Sequence, residues 1–258
     1  MTSKTHFKYL LALIITLTVS LSSLAVAEEF EATLDWSKRV ELSTPVNGIV
    51  QKVFVQSGQV VARDEVLIQL DPRFFKADLK YAKAKLAHTN EQNLEAKREL
   101  DRQLDMYDRS MLSEHDLQVA KNNFSATQSA YLQAQANLTK AKLNLENSAI
   151  RAPFNAVVIK TKAVKGQVVV SETTPPVLVI VAEAKRMLAR FYVTAAKANE
   201  LVLKQGVRIN VSGESYQGQV VSVAIEPEEL KAGYYAIDVV FDSSETVLRS
   251  GQKAIVNL

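Results

Sequence analysis

The side chains that ordinarily carry chemistry are few here and widely spaced. The three histidines, His6, His88 and His115, are scattered along the chain and suit neither a zinc site nor a proton relay. The 258 residues include no cysteine, which removes disulfides, thiolate metal sites, thiol nucleophiles and a lipidated N-terminal cysteine. Four methionines, one of them Met1, give little for a soft metal. No nucleophile elbow, phosphate-binding loop or pair of catalytic carboxylates at strand ends occurs. The chain is therefore expected to be no enzyme and to need no cofactor or metal. The informative polar residues shape backbone instead. Asp71-Pro72 reads as an N-cap followed by proline at the first helical position, and Ser113-Glu114-His115-Asp116 as a second cap with an acid three residues on.

Those caps frame the most uniform part of the chain. From Pro72 to Ser148 there is no glycine and no further proline, although the sequence holds 8 Gly and 6 Pro in all, and only helix fits such a stretch. Leu117, Phe124, Tyr131, Leu138 and Leu145 recur every seven residues, with Ala120, Thr127, Ala134 and Ala141 in the second seam. The upstream segment answers with Leu79, Leu86, Leu100 and Tyr107 around a polar Asn93, and with Ala82 and Ala96. Two antiparallel helices turning near Asp108 to Leu112 follow, an arm of roughly 50–60 Å at 1.5 Å per residue. Lys and Glu at its exposed heptad positions read as a solvated face.

The flanks of this arm resemble each other. Pro45-Val46-Asn47-Gly48-Ile49-Val50 aligns with Pro153-Phe154-Asn155-Ala156-Val157-Val158, and thirteen residues after each proline both copies read Gly-Gln-Val-Val, at Gly58 and at Gly166. Each alternates apolar and polar residues around glycine turns but is too short for its own core, so the halves should close on each other as one β-sandwich. Further strands are expected at Met187 to Val193, Val207 to Val211, Gln217 to Ile225, Tyr235 to Phe241 and Ala254 to Leu258, with one short helix from Ala195 to Leu203. Together they suggest a small closed barrel, to which Glu29 to Glu41 adds a strand.

At the N-terminus, Lys4 and Lys8 precede an apolar run from Tyr9 to Leu24, and Ala25-Val26-Ala27 supplies a small-x-small cleavage pattern. Cleavage after Ala27 is expected; retention as an anchor is the alternative. With the two lysines gone, the formal charge falls from +3 to +1. A near-neutral exported chain carries no electrostatic footprint for nucleic acid.

The order of these parts resembles the periplasmic adaptor, or membrane fusion protein (HlyD-like), family of Gram-negative tripartite efflux systems. Its lipoyl-type halves are recognisable in Thr44-Pro45-Val46-Asn47-Gly48-Ile49-Val50 with Gly58, and in Arg151-Ala152-Pro153-Phe154 with Gly166. The resemblance implies an α+β chain: a split lipoyl-like β-sandwich (barrel-sandwich hybrid) with an inserted α-helical hairpin and a C-terminal antiparallel β-barrel. Its expected boundaries are a signal peptide over 1–27, a barrel strand within 28–42, sandwich halves at 43–71 and 149–182, the hairpin at 72–148 and the barrel at 183–258. The crossings between sandwich and barrel are expected near Leu42 and Val181. A family pattern at the hairpin tip, Arg, then Leu four residues later, then Ser seven beyond, falls on Arg102, Met106 and Ser113, with Met for Leu. These are implied contacts to an outer-membrane channel. Met106 in the hairpin's own seam and Arg102 paired with Glu99 or Asp105 are the plain alternatives.

The implied partners are an inner-membrane transporter, toward the proton-driven RND type, an outer-membrane channel, and copies of the chain itself in a ring of six. The implied place is the periplasm, without a lipid anchor. An ABC-type exporter is the alternative transporter. The chain stops where many members continue into a membrane-proximal domain, which is expected to be missing. A lipoyl or biotinyl carrier is less favoured, because Pro72 and the helical insertion follow Leu70-Asp71 where the acceptor lysine would stand. A coiled-coil scaffold is less favoured because it needs no closed β-domain.

Overall fold

A computed structural model describes residues 28–171, 175–228, 231–243 and 248–258. The expected leader, residues 1–27, lies outside the described residues. In chain order the elements are β1 (Glu29–Trp36), β2 (Arg39–Leu42), β3 (Gly48–Val53), β4 (Val60–Val61), β5 (Val66–Leu70), α1 (Pro72–Asp108), α2 (Glu114–Asn147), β6 (Ala149–Arg151), β7 (Ala156–Thr161), β8 (Val168–Val169) and β9 (Val179–Glu183). Then follow β10 (Arg186–Thr194), α3 (Ala195–Ala198), β11 (Gly206–Val211), β12 (Glu214–Val223), β13 (Tyr234–Asp242) and β14 (Lys253–Asn257). They divide into two units: Trp36–Ala184, and the described residues up to Asp35 with Lys185–Leu258.

In the first unit two four-stranded sheets, ordered β2-β9-β7-β4 and β6-β5-β3-β8, face one core. Leu67, Ile68, Leu70, Val158, Val169, Leu178 and Val181 fill it from both sides of the helical insertion. The two halves are related by a constant offset of 108 residues, and their hydrogen bonds are reciprocal. Gly58 N–H donates to Val158 O at 2.7 Å, and Gly166 N–H to Val50 O at 2.8 Å. Asn155 Oδ1 accepts from Arg63 N–H at 2.9 Å, and Asn47 Oδ1 from Ser171 N–H at 2.8 Å. Val60 pairs with Val157 as Val168 pairs with Ile49. Each half thus completes the other's sheet, because two-residue strands such as β4 and β8 have no partner within their own copy. Gly58 and Gly166 both sit at φ +88 with open space around the missing Cβ, so backbone conformation, not crowding, requires glycine there.

The hairpin leaves and re-enters the sandwich at one place. Leu70 N–H donates to Ser148 O at 2.8 Å, the Thr44 hydroxyl to Asn147 O at 2.8 Å, and Gln69 Nε2 to Leu70 O at 2.9 Å and Ser148 O at 3.1 Å. Thr44 and Ser148 are buried there with these bonds made, as buried polar groups require. Phe75 and Leu145 plant the helix roots against the core.

The second unit is a closed barrel, ordered β1-β10-β13-β12-β11-β14. Closure leaves no edge, and alternation does the rest: β10 buries Met187, Ala189, Phe191 and Val193 on one face. Gly218 on β12 is required by space, since a Cβ would stand 2.3 Å from Ile209 Cδ1 and 2.7 Å from Val239 Cγ1.

The boundaries differ from expectation at the barrel strand, at the crossings and at the short helix. The barrel strand expected within 28–42 ends at Trp36; Arg39–Leu42 is instead β2, antiparallel to β9, with Val40 and Leu42 packed on the sandwich core. A bend at Ser37-Lys38 redirects the chain. The crossings expected near Leu42 and Val181 accordingly fall at Asp35–Trp36 and Ala184–Lys185. The helix expected to reach Leu203 stops at Ala198, where Asn199 caps it through its N–H to Ala195 O.

Candidate functional site

The candidate site is built by helix endings. Asp71 caps α1, its carboxylate accepting from Arg73 N–H at 3.1 Å and from the Arg73 guanidinium at 2.6–3.0 Å. The Arg73 side-chain bonds, then the Arg73 backbone bond, hold the Asp71 carboxyl below its usual value. From there α1 and α2 run 37 and 34 residues, and the expected seam is present up to the tip, with Ala82, Ala96, Leu117, Ala120, Ala134 and Ala141 buried; Tyr107, expected as its last member on α1, is instead 39% exposed beside the turn. Phe75 and Thr89 fill further positions of the small-residue seam, with the Thr89 hydroxyl donating to Lys85 O and Leu86 O. Asn93 Oδ1 and Gln103 Oε1 are buried without a partner, so the seam becomes polar toward the tip.

The turn itself closes by a pattern the sequence concealed. Ser110 adopts φ +58. Its N–H donates to Tyr107 O at 2.8 Å, and Met111 N–H to Met106 O at 2.9 Å. This is the Schellman ending, with serine where glycine is usual. Ser113 then starts α2: its Oγ accepts from Asp116 N–H at 3.2 Å and donates to Asp116 Oδ2 at 2.5 Å. Glu114 and Asp116 put negative charge on the positive end of the helix.

Arg102 and Met106 lie one turn apart near the end of α1, and Ser113 opens α2 across residues 109–113. Each of the three hydrogen-bonds within its own turn. Arg102 is exposed and its guanidinium pairs with Glu99, the plain alternative named above. The Gln103 amide, 2.5 Å from Glu99, and then Arg102 hold the Glu99 carboxyl below its usual value. Met106 is half-buried, and its carbonyl anchors the turn. Two tip residues escaped the sequence reading. Arg109 is exposed and paired with Asp105 at 2.9 Å, and Met111 is 60% exposed. The spacing Arg102–Arg109 is one heptad, a signal that could have found the first; nothing in the pattern marked Met111.

Among the described residues no group of three or more His, Asp or Glu side chains is placed to hold a metal ion, and no helix is long and apolar enough to cross a membrane. What the tip offers is cationic forks, one exposed thioether and helix-end backbone.

Residues 38–182 match the family model described as the CzcB-like, barrel-sandwich hybrid domain. The chain is 26% identical over 245 residues to the macrolide export protein MacA of Yersinia pestis, covering 87% of this chain and 66% of that protein. It is 29% identical over 129 residues to the multidrug resistance protein MexA of Pseudomonas aeruginosa, covering 50% and 30%. A crystal structure of a MacA-MexA chimera carrying the Pseudomonas aeruginosa MexA α-hairpin domain superposes with TM-score 0.67 at 25% identity, over 89% of this chain and 77% of that one. The chain spans 60–66% of the length of the MacA proteins it matches.

Proposed function

The chain belongs to the membrane fusion, or periplasmic adaptor, protein family, and from that membership we propose that it is a non-catalytic adaptor of an efflux pump. In this reading it works in the periplasm and links an inner-membrane transporter to an outer-membrane channel. The observation that carries it is the hairpin: a rod of about 50 Å, set into a sandwich that closes around its root, with an exposed turn bearing Arg109, Ser110 and Met111. A rod whose seam is packed along its length transmits position and force, and its far end is free to mesh with a partner's helix ends.

Arg102 donates its guanidinium fork to carbonyls or carboxylates of the channel, Met106 gives an adaptable apolar contact, and the Ser113 hydroxyl bonds outward from its cap. For Arg102 this means exchanging an exposed intrahelical pair for an intermolecular one. Exposed pairs contribute little to stability, so the exchange is not opposed. Copies side by side in a sixfold ring would seal a conduit from periplasmic water. The family tip spacing supports an RND-type transporter.

A single cysteine placed by Ser110→Cys tests the link, because the chain has no other thiol. It should crosslink to an outer-membrane channel in living cells, and co-purification should identify a proton-driven transporter. Arg102→Asp should abolish efflux with the melting temperature nearly unchanged. Absence of any specific crosslink, or a large loss of melting temperature, would contradict the reading.

A further inference from the structure

The arm is joined to the sandwich through two single residues. β5 ends at Leu70 and α1 begins at Pro72; α2 ends at Asn147 and β6 begins at Ala149. Asp71 and Ser148 are the whole of the two linkers. β5 and β6 are themselves paired, with Gln69 opposite Ala149, so both helices leave from neighbouring strands of one sheet. No glycine lies within 66–75 or 144–152, and Pro72 fixes its own φ. Two attachments side by side still permit one motion, a rocking of the rod about the line through them.

The end of α2 shows what opposes it. The last carbonyls of a helix have no partner within it and are ordinarily met by a glycine turn, a basic side chain or water. α2 has no basic residue in its last turn and passes into β6 without a glycine. Its final carbonyls are met from the other half of the sandwich. Asn147 O accepts from the Thr44 hydroxyl at 2.8 Å, and Ser148 O from Leu70 N–H at 2.8 Å and Gln69 Nε2 at 3.1 Å. The Ser148 hydroxyl donates back to Leu145 O at 2.6 Å. Beside α1, Gln69 Nε2 also donates to Leu70 O at 2.9 Å, and Asp71 N–H to Ile49 O at 2.8 Å. Thr44 belongs to neither paired strand. It precedes β3, and its oxygen accepts from Val46 N–H at 3.4 Å while its proton goes to α2. Thr44 is 2% and Ser148 1% exposed, so rocking would strip carbonyls of their donors with no water at hand to replace them.

We propose that Thr44, Gln69 and Ser148 are positioning residues that aim the arm: they cap α2 from the first half of the sandwich and make a fixed joint of two linkers that could otherwise rock. The leverage is large, because a tilt of about 10° carries the end of a rod of about 50 Å sideways by about 9 Å. The inference concerns the joint alone and stands whether or not the arm meets a channel.

Spin labels on pairs of introduced cysteines test it in the full chain, which has no other thiol. Ser125→Cys occupies an exposed position of α2, about 35 Å along the arm from its root. Val60→Cys on β4 and Val168→Cys on β8 are exposed on edge strands of the two opposed sheets. The distance distributions from 125 to 60 and from 125 to 168 should both be narrow. Thr44→Val with Ser148→Ala should widen at least one of them by about 6 Å, the sweep of a 10° rock at that height, with circular dichroism unchanged. Thr44→Ser keeps the hydroxyl and should leave both narrow. Broad distributions in the parent chain would overturn the proposal without any variant of the joint. Unchanged widths in the double variant would overturn it too, and would assign the arm's direction to the packing of Phe75 and Leu145. If the double variant does not fold, Thr44→Val alone is read in the same way.

Discussion

Ser113 allows the shape of the tip to be separated from its contact with a partner. Its hydroxyl makes two bonds to Asp116, accepting from the backbone N–H at 3.2 Å and donating to the carboxylate at 2.5 Å. Ser113→Ala removes both, and loss of a serine N-cap costs about 1 kcal/mol. The cost falls on the first turn of α2, far from the helix root at Leu145, so it should appear as local opening and not as a lower global melting temperature. At about 1.4 kcal/mol per tenfold, the amide hydrogens of Asp116 and Leu117, which Ser113 accepts, should exchange about fivefold faster, with those near Ala134 and Ala141 unchanged. Ser113→Asn keeps an equally good cap and should restore the parent exchange rates. If the hydroxyl also meets a channel, efflux should fall in both variants. Unchanged exchange in Ser113→Ala would refute the capping argument. Full efflux in Ser113→Asn would refute the contact and leave Ser113 a cap alone.

Three further outcomes are expected. Gly58→Ala and Gly166→Ala each force a side chain into positive φ and should lower stability by about 1–2 kcal/mol in urea unfolding, by similar amounts because the two turns are reciprocal; a loss at only one would contradict that symmetry. Gly218→Ala drives a methyl against Ile209 and Val239 inside the barrel and should cost about 1–3 kcal/mol; a neutral effect would mean the barrel is looser than described. The depressed carboxyl of Asp71 contributes stability that is present above its unfolded value of 3.8 and is lost as pH falls through the lower folded value. Asp71→Asn should therefore flatten part of the stability loss measured below about pH 4, and an unchanged acid slope would rule out that contribution.

Much of the architecture was legible because its signals are local. The stretch without glycine or proline announced the helices, Asp71 and Ser113 announced their starts, and the two Gly-Gln-Val-Val copies announced a sandwich shared between distant segments. The strands of the barrel followed from alternation between glycines. What stayed hidden depends on tertiary context. Val40 and Leu42 alternate as any half-buried strand does, and only the pairing of β2 with β9 decides which sheet takes them. The Schellman ending was concealed by serine in place of glycine at position 110. Gln103 continues the register of Ala82 and Ala96 but is polar, so the seam seemed to end before it does. At the tip, Arg102, Met106 and Ser113 came from resemblance; the structure adds the Glu99 pair, the carbonyl anchor and the cap that each already serves.

The account stands on one sandwich being completed by two segments that an arm of some seventy-five residues separates, about what the lengths of α1 and α2 imply. Cysteines introduced by Ile49→Cys and Val168→Cys face each other across β3 and β8, on exposed positions of a chain with no other thiol. Under mild oxidation the pair should form an intrachain disulfide in nearly all molecules, seen as a monomer of faster mobility on a non-reducing gel. Free thiols throughout, or disulfides only between chains, would show that the halves do not close on each other, and the rod would have no platform to extend from.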